Sequence, residues 1–357
     1  DQGRLEDSLV CYRRTIEIVP KHRLAYNNMA LALQDQGKLG EALASLTRQI
    51  ELAPDFAEAQ SARLRCFNFD PKWSPAEVYT AHKDWAAARA DKFHPATKTA
   101  TETHANARDP ERPLRVGYIS PDFRVHSVAY FFEAVLAAHD RDAIHAICYA
   151  NASQKDDMTA HLKELAGDWR ETFAMNDKDV AALIRDDRID ILVDLAGHTG
   201  LNRMLTFARR PAPVQVSYLG YCCTTGLAAI DYRLSDWHSD PAGQEAVHAE
   251  ALYRLDRTFL CYTAPDSAPD VAPPPSATAG GAGGEAGGKS GAATAGAITF
   301  GSFNTLAKVT PEVVALWSKV LAAVPGSRFI LKAKSLSDEA TRVRYRAMFE
   351  SQGIAGE

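Results

Sequence analysis

Apolar and polar positions in the first 60 residues follow one pattern that occurs twice. Asp-Gln-Gly-Arg-Leu at 1–5 returns as Asp-Gln-Gly-Lys-Leu at 35–39, and the match continues 34 residues apart in the pairs Leu9 and Leu43, Ile16 and Ile50, and Pro20 and Pro54. The glycine fits a turn between two helices, and the proline fits the end of the second helix. A helix pair of this kind cannot bury its apolar face alone, so we expect it to stack on neighbouring copies.

This 34-residue period, with its glycine and proline, is the signature of the tetratricopeptide repeat. Residues 25–30 supply the first helix of the complete copy. We therefore assign residues 1–60 to a helical repeat solenoid. Because the chain starts in the middle of a repeat and without an initiator Met, we expect it to be a piece of a longer protein with more repeats upstream.

Residues 61–112 are expected to form a helical connector followed by a linker. Asn68-Phe69-Asp70-Pro71 marks a break in the helical pattern. Ser74 then caps a helix with Pro75 at its first position, and this helix carries an amphipathic set of side chains, Val78, Tyr79, His82 and Trp85. Residues 94–110 have the composition of a linker.

From Pro113 onward, short apolar strands alternate with helices. Strands are predicted over residues 114–120, 143–150, 189–195, 214–219 and 231–235, with helices over 128–139 and 180–186. Strands that are apolar throughout are typical of a parallel sheet covered on both faces. We therefore expect residues 113–265 to form a Rossmann-like α/β lobe.

A second α/β lobe begins at residue 298 and is incomplete. Residues 266–297 are almost all Ala, Gly, Pro, Ser and Thr, a composition that predicts a disordered insertion because it offers too little apolar surface to offset the ordering entropy. Residues 298–357 then carry two strand-helix units, too few for a complete nucleotide-binding lobe. The predicted class is a multidomain α plus α/β chain: a helical solenoid followed by Rossmann-like lobes.

Composition and charge narrow the function classes. The apolar share of 46% and the charged share of 24% are ordinary for a soluble globular protein, and a net charge of -5 gives no argument for binding nucleic acid or an anionic membrane. No run approaches the roughly 18 apolar residues of a membrane span. The six cysteines show no metal-ligand spacing, so we expect reduced thiols in the cytoplasm or nucleus and no metal site.

Polar and small residues gather where the predicted strands end, which is where open α/β sheets bind their ligands. The candidates are His126; Gly197, His198 and Thr199; Leu219, Gly220 and Tyr221; and, in the second lobe, Asn304, Thr305 and Lys308. Each type also has a plainer interpretation. A histidine after a strand is commonly a loop hydrogen-bonder, a lysine is commonly solvated, and a glycine can serve only as a turn former.

Taken together, these segments resemble the O-linked N-acetylglucosamine transferase and SPINDLY family of protein O-glycosyltransferases. The resemblance covers nearly the whole chain outside the low-complexity tract and is carried by residues 115–127, 189–199, 210–221, 224–233, 259–262 and 300–308. The sequence motifs at 197–199 and 301–308 are closer to those of the SPINDLY branch. The resemblance implies tetratricopeptide repeats fused to a two-lobed catalytic region of the GT-B type.

The resemblance also implies roles for the candidate residues. His126 matches the family's active-site histidine, Lys308 matches the lysine that holds the nucleotide-sugar diphosphate, and the other loop residues would contact the donor. A fixed ammonium and the nearby helix N-terminus can stabilise the leaving diphosphate, so we expect no metal and no cofactor. One departure concerns the sugar pocket, because Cys222 stands where the family commonly has a proline, and Cys223 follows it.

The function implied is inverting, metal-independent transfer of one sugar from UDP-N-acetylglucosamine to Ser or Thr hydroxyls of intracellular proteins, with the repeats forming a groove that presents the acceptor. GDP-fucose is the alternative donor, favoured by the SPINDLY-like wording. An alternative of another class is a non-catalytic repeat scaffold with a degenerate lobe, and a weaker one is a transferase that acts on glycans. Further repeats would also allow a homo-oligomer. Because a GT-B site lies between two lobes, we expect residues 1–357 alone to be nearly inactive.

Overall fold

The computed structural model describes residues 4–94, 104–265, 267–272 and 298–355 and separates into two compact units. The large unit is Pro54–Ala264, and the small unit joins Asp1–Ala53 to Pro265–Glu357. Most of the insertion predicted at 266–297 and part of the linker predicted at 94–110 lie outside the described residues. Among the described helices, none has the combination of length and apolar character needed to cross a bilayer.

The small unit contains the predicted repeat helices. They are α1 (Leu5–Ile18), α2 (Arg23–Asp35) and α3 (Leu39–Leu52), and α2 packs on both of the others. Gly37 lies between α2 and α3 with a φ of 72°, a left-handed conformation that suits glycine, so the predicted turn is confirmed. The helix pair predicted from the repeat is therefore present.

The same unit contains the strands and helices predicted after residue 298. Strands β8 (Thr299–Ser302) and β9 (Arg328–Leu331) are parallel neighbours, and they alternate with helices α10 (Pro311–Ala323) and α11 (Glu339–Glu350). Hydrogen bonds join these elements to the repeat helices within the unit. Asp338 accepts from the backbone N–H of Glu6 at 3.2 Å, and Arg344 donates to the carbonyl of Gln36 at 2.7 Å.

The large unit begins with two helices, α4 (Ala57–Phe67) and α5 (Pro75–Arg89). The predicted cap of α5 is confirmed. Ser74 accepts from the N–H of Glu77, and the Glu77 carboxylate accepts from the N–H of Ser74 at 2.8 Å, so each side chain satisfies a backbone donor of the first turn. These two helices lead into the sheet.

The core of the large unit is a parallel seven-stranded sheet in the order β3-β2-β1-β4-β5-β6-β7. Its strands are β1 (Leu114–Ser120), β2 (Ile144–Ala150), β3 (Asp168–Glu171), β4 (Ile191–Asp194), β5 (Val214–Ser217), β6 (Tyr232–Asp236) and β7 (Ala251–Leu255). The intervening helices are α6 (Ser127–Ala137), α7 (Asp157–Leu165), α8 (Asp177–Asp186) and α9 (Met204–Phe207). The strand order reverses between β1 and β4, which is the topological switch point where such sheets bind ligands.

The five strands predicted in this lobe are confirmed, and two others were missed. The missed strands, β3 and β7, are the two edges of the sheet. An edge strand has a neighbour on one side only and need not be apolar throughout. The four residues of β3, Asp-Trp-Arg-Glu, are mostly charged, so the apolar pattern that revealed the central strands is absent there.

Candidate active site

A cleft of about 400 Å³ opens in the large unit at the carboxyl ends of the strands around the switch point. It is lined by Pro121, Asp122, Arg124, His126 and Val128 after β1, by Ala152, Ser153 and Gln154 after β2, by Thr199, Gly200 and Leu201 after β4, by Gly220 after β5, and by Arg65 of α4. Of the residues selected from the sequence, the fold brings His126, Thr199 and Gly220 together in this wall.

His126 occupies the N-cap of α6 and is partly exposed to the cleft. Its Nδ1 accepts from the backbone N–H of Val128 at 3.2 Å and lies 3.7 Å from a carboxylate oxygen of Asp122. With Nδ1 occupied as an acceptor, the neutral ring carries its proton on Nε2 and offers a donor to the cleft. If Nδ1 instead donated to the carboxylate of Asp122, the neutral ring would carry its proton on Nδ1, and Nε2 would be free to accept a proton.

The turn after β5 is strained at the cleft. Leu219 has a φ of 66°, and the N–H of Gly220 donates to the carbonyl of Tyr218 at 2.8 Å, which closes a three-residue γ-turn. A Cβ on Gly220 would lie 1.8 Å from the carbonyl oxygen of Leu195. Only glycine therefore allows this close approach, and backbone strain of this kind is commonly retained at functional sites.

The turn after β4 interlocks with the one after β5. Gly197 has a φ of 54°, and a Cβ there would lie 2.2 Å from the Cβ of Tyr221. The buried carboxyl of Asp194 accepts from the N–H groups of Ala196 and Gly197 at 3.1 and 2.7 Å. Burial raises the pKa of Asp194 to about 7. The two loops thus form one packed surface.

His198 and Tyr221 lie in the interior of this surface and face α4 and α5. His198 contacts the hydroxyl of Ser61 and the carbonyl of Thr225, while the Tyr221 hydroxyl contacts His82 and Asn68. We expected both residues to contact the donor, but the structure buries their side chains in the support of the loops. Gly197 and the half-buried Leu219 shape the two turns through their backbone conformation, since both have a positive φ.

Two buried charged residues that were missing from the sequence candidates hold residues 221–225. Glu250 accepts from the N–H of Thr225 and the hydroxyl of Thr224, both at 2.7 Å. Arg233 donates to the carbonyls of Tyr221 and Cys223 at 2.9 and 3.2 Å. Arg233 belongs to the Asp-Tyr-Arg motif at 231–233, so a sequence signal existed for it, whereas nothing in the sequence links Glu250 to this loop.

The cysteines of this loop are free thiols, as are the other four. Cys222 is exposed, and the Sγ of Cys223 lies 3.7 Å from Nε2 of His82. Across the part of the chain that the structure describes, no group of three or more His, Cys, Asp or Glu is arranged to hold a metal ion.

Lys308, Asn304 and Thr305 belong to the small unit. The exposed Lys308 ends a single 3₁₀ turn, Leu306–Lys308, just before α10, whose N-cap Thr310 accepts from the N–H of Val313. The buried hydroxyl of Tyr345 lies 3.0 and 3.3 Å from the carbonyls on either side of Lys308, those of Leu306 and Val309.

This arrangement gives the small unit a fixed loop next to a helix N-terminus. An ammonium group and the free N–H donors of a first helical turn are both suited to phosphate oxygens. Asn304 and Thr305 are exposed on the same loop, and the Asn304 side chain lies 3.5 Å from the hydroxyl of Ser302. Tyr345, which the sequence did not mark, helps to hold the backbone of this loop, together with the hydrogen bonds from the N–H of Lys308 to Thr305 and from the N–H of Val309 to Leu306.

Residues 80–264, more than half of the chain, match the model of glycosyl transferase family 41. The chain belongs to glycosyl transferase family 41. This confirms the family resemblance that the motifs predicted. The chain is 38% identical over 309 residues to a protein of Solanum lycopersicum named probable UDP-N-acetylglucosamine–peptide N-acetylglucosaminyltransferase SPINDLY, a match that covers 85% of this chain and 31% of that protein.

Two Arabidopsis thaliana proteins place the chain within the family. The identity is 37% to the one named SPINDLY, over 85% of this chain and 31% of that protein, and 29% to the one named SEC, over 68% of this chain and 24% of that protein. The higher identity lies on the SPINDLY side, as the motif wording predicted. The chain spans about a third of the length of the SPINDLY-named relatives.

A solved structure confirms the predicted fold class. A mutant of the Thermobaculum terrenum O-GlcNAc transferase superimposes with a TM-score of 0.87 at 34% sequence identity, covering 99% of this chain and 63% of that one. The helical N-terminal region and the parallel seven-stranded sheet are therefore those of an O-GlcNAc transferase fold.

Proposed function

We propose that the protein transfers a single sugar from a nucleotide-sugar donor to Ser or Thr hydroxyls of other proteins. The observation that carries this proposal is the cleft at the switch point of a family 41 sheet, where His126 and Gly220 share one wall. The names of the SPINDLY relatives support UDP-N-acetylglucosamine as the donor and a peptide as the acceptor.

Lys308 stabilises the leaving group in this proposal. When the bond between sugar and phosphate breaks, negative charge grows on the diphosphate, and an ammonium that meets this charge mainly in the transition state lowers the barrier. Tyr345 holds the loop backbone on both sides of Lys308, so little reorganisation is needed during the reaction. With the N-terminus of α10 beside it, Lys308 supplies the neutralisation for which other transferases use a metal.

His126 and the turn at Gly220 act on the sugar and the acceptor. The partly exposed ring of His126 can hydrogen-bond the acceptor hydroxyl or the sugar, and its Nδ1 lies within reach of Asp122 if the ring is to receive a proton. Gly220 allows the sugar to approach the backbone closely, since no side chain intervenes. Attack by the hydroxyl from the face opposite the diphosphate would invert the anomeric centre.

The alternative donor is GDP-fucose. The SPINDLY-like wording at 197–199 and 301–308 supports it, and Cys222 gives the loop after Gly220 a different tip from the family's usual one. In either case the repeat helices α1–α3 would extend a groove that presents the acceptor polypeptide. Free cysteines, one of them exposed on this loop, fit a reducing compartment such as the cytoplasm or nucleus.

Donor turnover by the intact protein tests this proposal. Hydrolysis and transfer would be measured with UDP-N-acetylglucosamine and with GDP-fucose in parallel, with an acceptor protein present and absent. We expect turnover of UDP-N-acetylglucosamine that rises when acceptor is added. Turnover of GDP-fucose alone would select the alternative donor. Turnover of neither donor would favour the other interpretation, a non-catalytic repeat scaffold.

A further inference from the structure

The loop after β5, residues 219–226, is attached at two points to the connector helices α4 and α5. One attachment runs through His198 and the other through His82, and both rings are fully buried. Each ring contacts one backbone carbonyl and one hydroxyl, and Nε2 of His82 also lies 3.7 Å from the Sγ of Cys223. Since a carbonyl can only accept a hydrogen bond, these contacts determine where each ring carries its proton.

In His198 the proton lies on Nε2. This nitrogen is 2.8 Å from the carbonyl of Thr225, so it must donate, and Nδ1 is left to accept from the hydroxyl of Ser61 at 3.0 Å. Burial lowers the pKa of His198 to about 3, so the ring is neutral at physiological pH. The ring therefore links α4, which carries Ser61, to the end of the loop.

In His82 the proton lies on the other nitrogen. Nδ1 is 2.7 Å from the carbonyl of Val78 and must donate, which leaves Nε2 to accept from the hydroxyl of Tyr221 at 2.9 Å. The Tyr221 oxygen in turn accepts from the amide of Asn68 at 3.0 Å. Burial lowers the pKa of His82 to about 4. This ring links α5 to the start of the loop.

The loop and its two imidazoles are also packed closely against α5. The rings of Trp85 and His198 are nearly perpendicular with a centroid distance of 4.6 Å, and the centroids of the two imidazoles are 5.1 Å apart. Gly226 has a φ of 77°, and a Cβ there would lie 2.6 Å from the backbone carbonyl of His82. The backbone of α5 is thus in direct contact with the loop.

We propose that His82 and His198 are positioning residues, two neutral imidazoles with opposite tautomers that hold the 219–226 loop so that Gly220 keeps its place in the cleft. An exchange of tautomer in either ring would set a nitrogen lone pair against a carbonyl oxygen and release one end of the loop. The connector helices therefore belong to the active site. The kinetic consequence rests on the proposed sugar transfer, whereas the attachment of the loop does not.

Two variants of the intact protein test this proposal without altering either histidine. Tyr221→Phe removes the hydroxyl that donates to His82, and Ser61→Ala removes the one that donates to His198. Tyr118→Phe is the matched control, because Tyr118 is as buried as Tyr221 (both 5% exposed) and its hydroxyl contacts Nε2 of His139 at 2.8 Å, which is neither of the two imidazoles that hold the loop. Ser61→Thr keeps a hydroxyl and serves as the rescue.

Hydrogen-deuterium exchange of the loop amides and donor kinetics are then compared across the set. Loss of one such hydrogen bond should speed amide exchange in residues 219–226 by about tenfold and reduce kcat/KM for the donor by a similar factor. We expect both effects in Tyr221→Phe and Ser61→Ala, recovery in Ser61→Thr, and neither effect in Tyr118→Phe.

Loop exchange at the wild-type rate in either test variant, or equal acceleration in Tyr118→Phe, would overturn the proposal. Faster loop exchange with unaltered kinetics would overturn it as well, since the loop would then not serve the site. If the wild-type protein turned over no donor, the proposed function would fail, and the exchange measurement would still decide whether the loop is held in this way.

Discussion

Replacing Gly220 by alanine should disable the site while leaving the fold intact. The added Cβ would lie 1.8 Å from the carbonyl oxygen of Leu195, about half of an ordinary van der Waals separation, and both partners are backbone. The turns after β4 and β5 must therefore separate by more than about 1 Å. Overpacking of this kind costs about 1–3 kcal/mol of unfolding free energy, and a displacement of about 1 Å in a site can cost about a hundredfold in rate.

Gly200→Ala is the matched control for this substitution. Gly200 lines the same cleft, but a Cβ there would meet no atom within 4 Å. Both variants would be compared with wild type by initial rates at saturating donor and by urea unfolding. We expect Gly200→Ala to keep the wild-type unfolding free energy, because its Cβ meets no protein atom, and Gly220→Ala to lose unfolding free energy and about a hundredfold in rate. Wild-type kinetics in Gly220→Ala would refute the reasoning about the two turns.

Two further outcomes follow. The unfolding free energy should fall as the pH is lowered from 6.5 to 4, because the pKa values of His82 and His198 are depressed in the folded protein and the unfolded chain therefore binds more protons in that window. The raised pKa of Asp194 has the opposite effect and cancels one of the two histidines, so the expected slope is about 1.4 kcal/mol per pH unit. A flat profile of unfolding free energy against pH, measured by urea unfolding, would contradict this expectation. Deleting residues 268–295 should leave activity and Tm nearly unchanged, because the tract has almost no apolar side chains to dock and closure entropy depends only weakly on loop length. A large loss of either would show that the tract docks.

The sequence predicted what depends on local pattern. The repeat helices α1–α3 were readable because their apolar positions recur at a fixed offset, and the central strands because two-sided burial demands apolar residues throughout. The edge strands β3 and β7 were missed, because a strand with a neighbour on one side only need not be apolar throughout. The location of the site could be inferred because parallel strands place their carboxyl ends on one edge of the sheet.

The roles of individual side chains depended on contacts that no local pattern encodes. His198 and Tyr221 follow strands, as ligand-binding residues do, yet they are buried against α4 and α5 because Ser61, Asn68 and His82 offer partners there. Glu250 is 25 residues from Thr225 in the chain and still holds its N–H. Such pairings are set by the tertiary fold, and a single sequence carries no signal for them.

The proposed role of Lys308 in sugar transfer is tested by comparing the intact protein with its Lys308→Ala variant. Lys319 is exposed on α10, so Lys319→Ala is a control for the loss of a positive charge in the same unit. The assay is mass spectrometry of the acceptor protein at saturating donor. Lys308→Ala should be slower by at least about a hundredfold, roughly 2.7 kcal/mol, with unchanged thermal unfolding, and Lys308→Arg should not restore the rate fully because a planar guanidinium cannot replace a compact ammonium. We expect the wild type and Lys319→Ala to attach a single sugar to Ser or Thr of the acceptor. Equal transfer by wild type and Lys308→Ala, or no transfer by any of them, would contradict it.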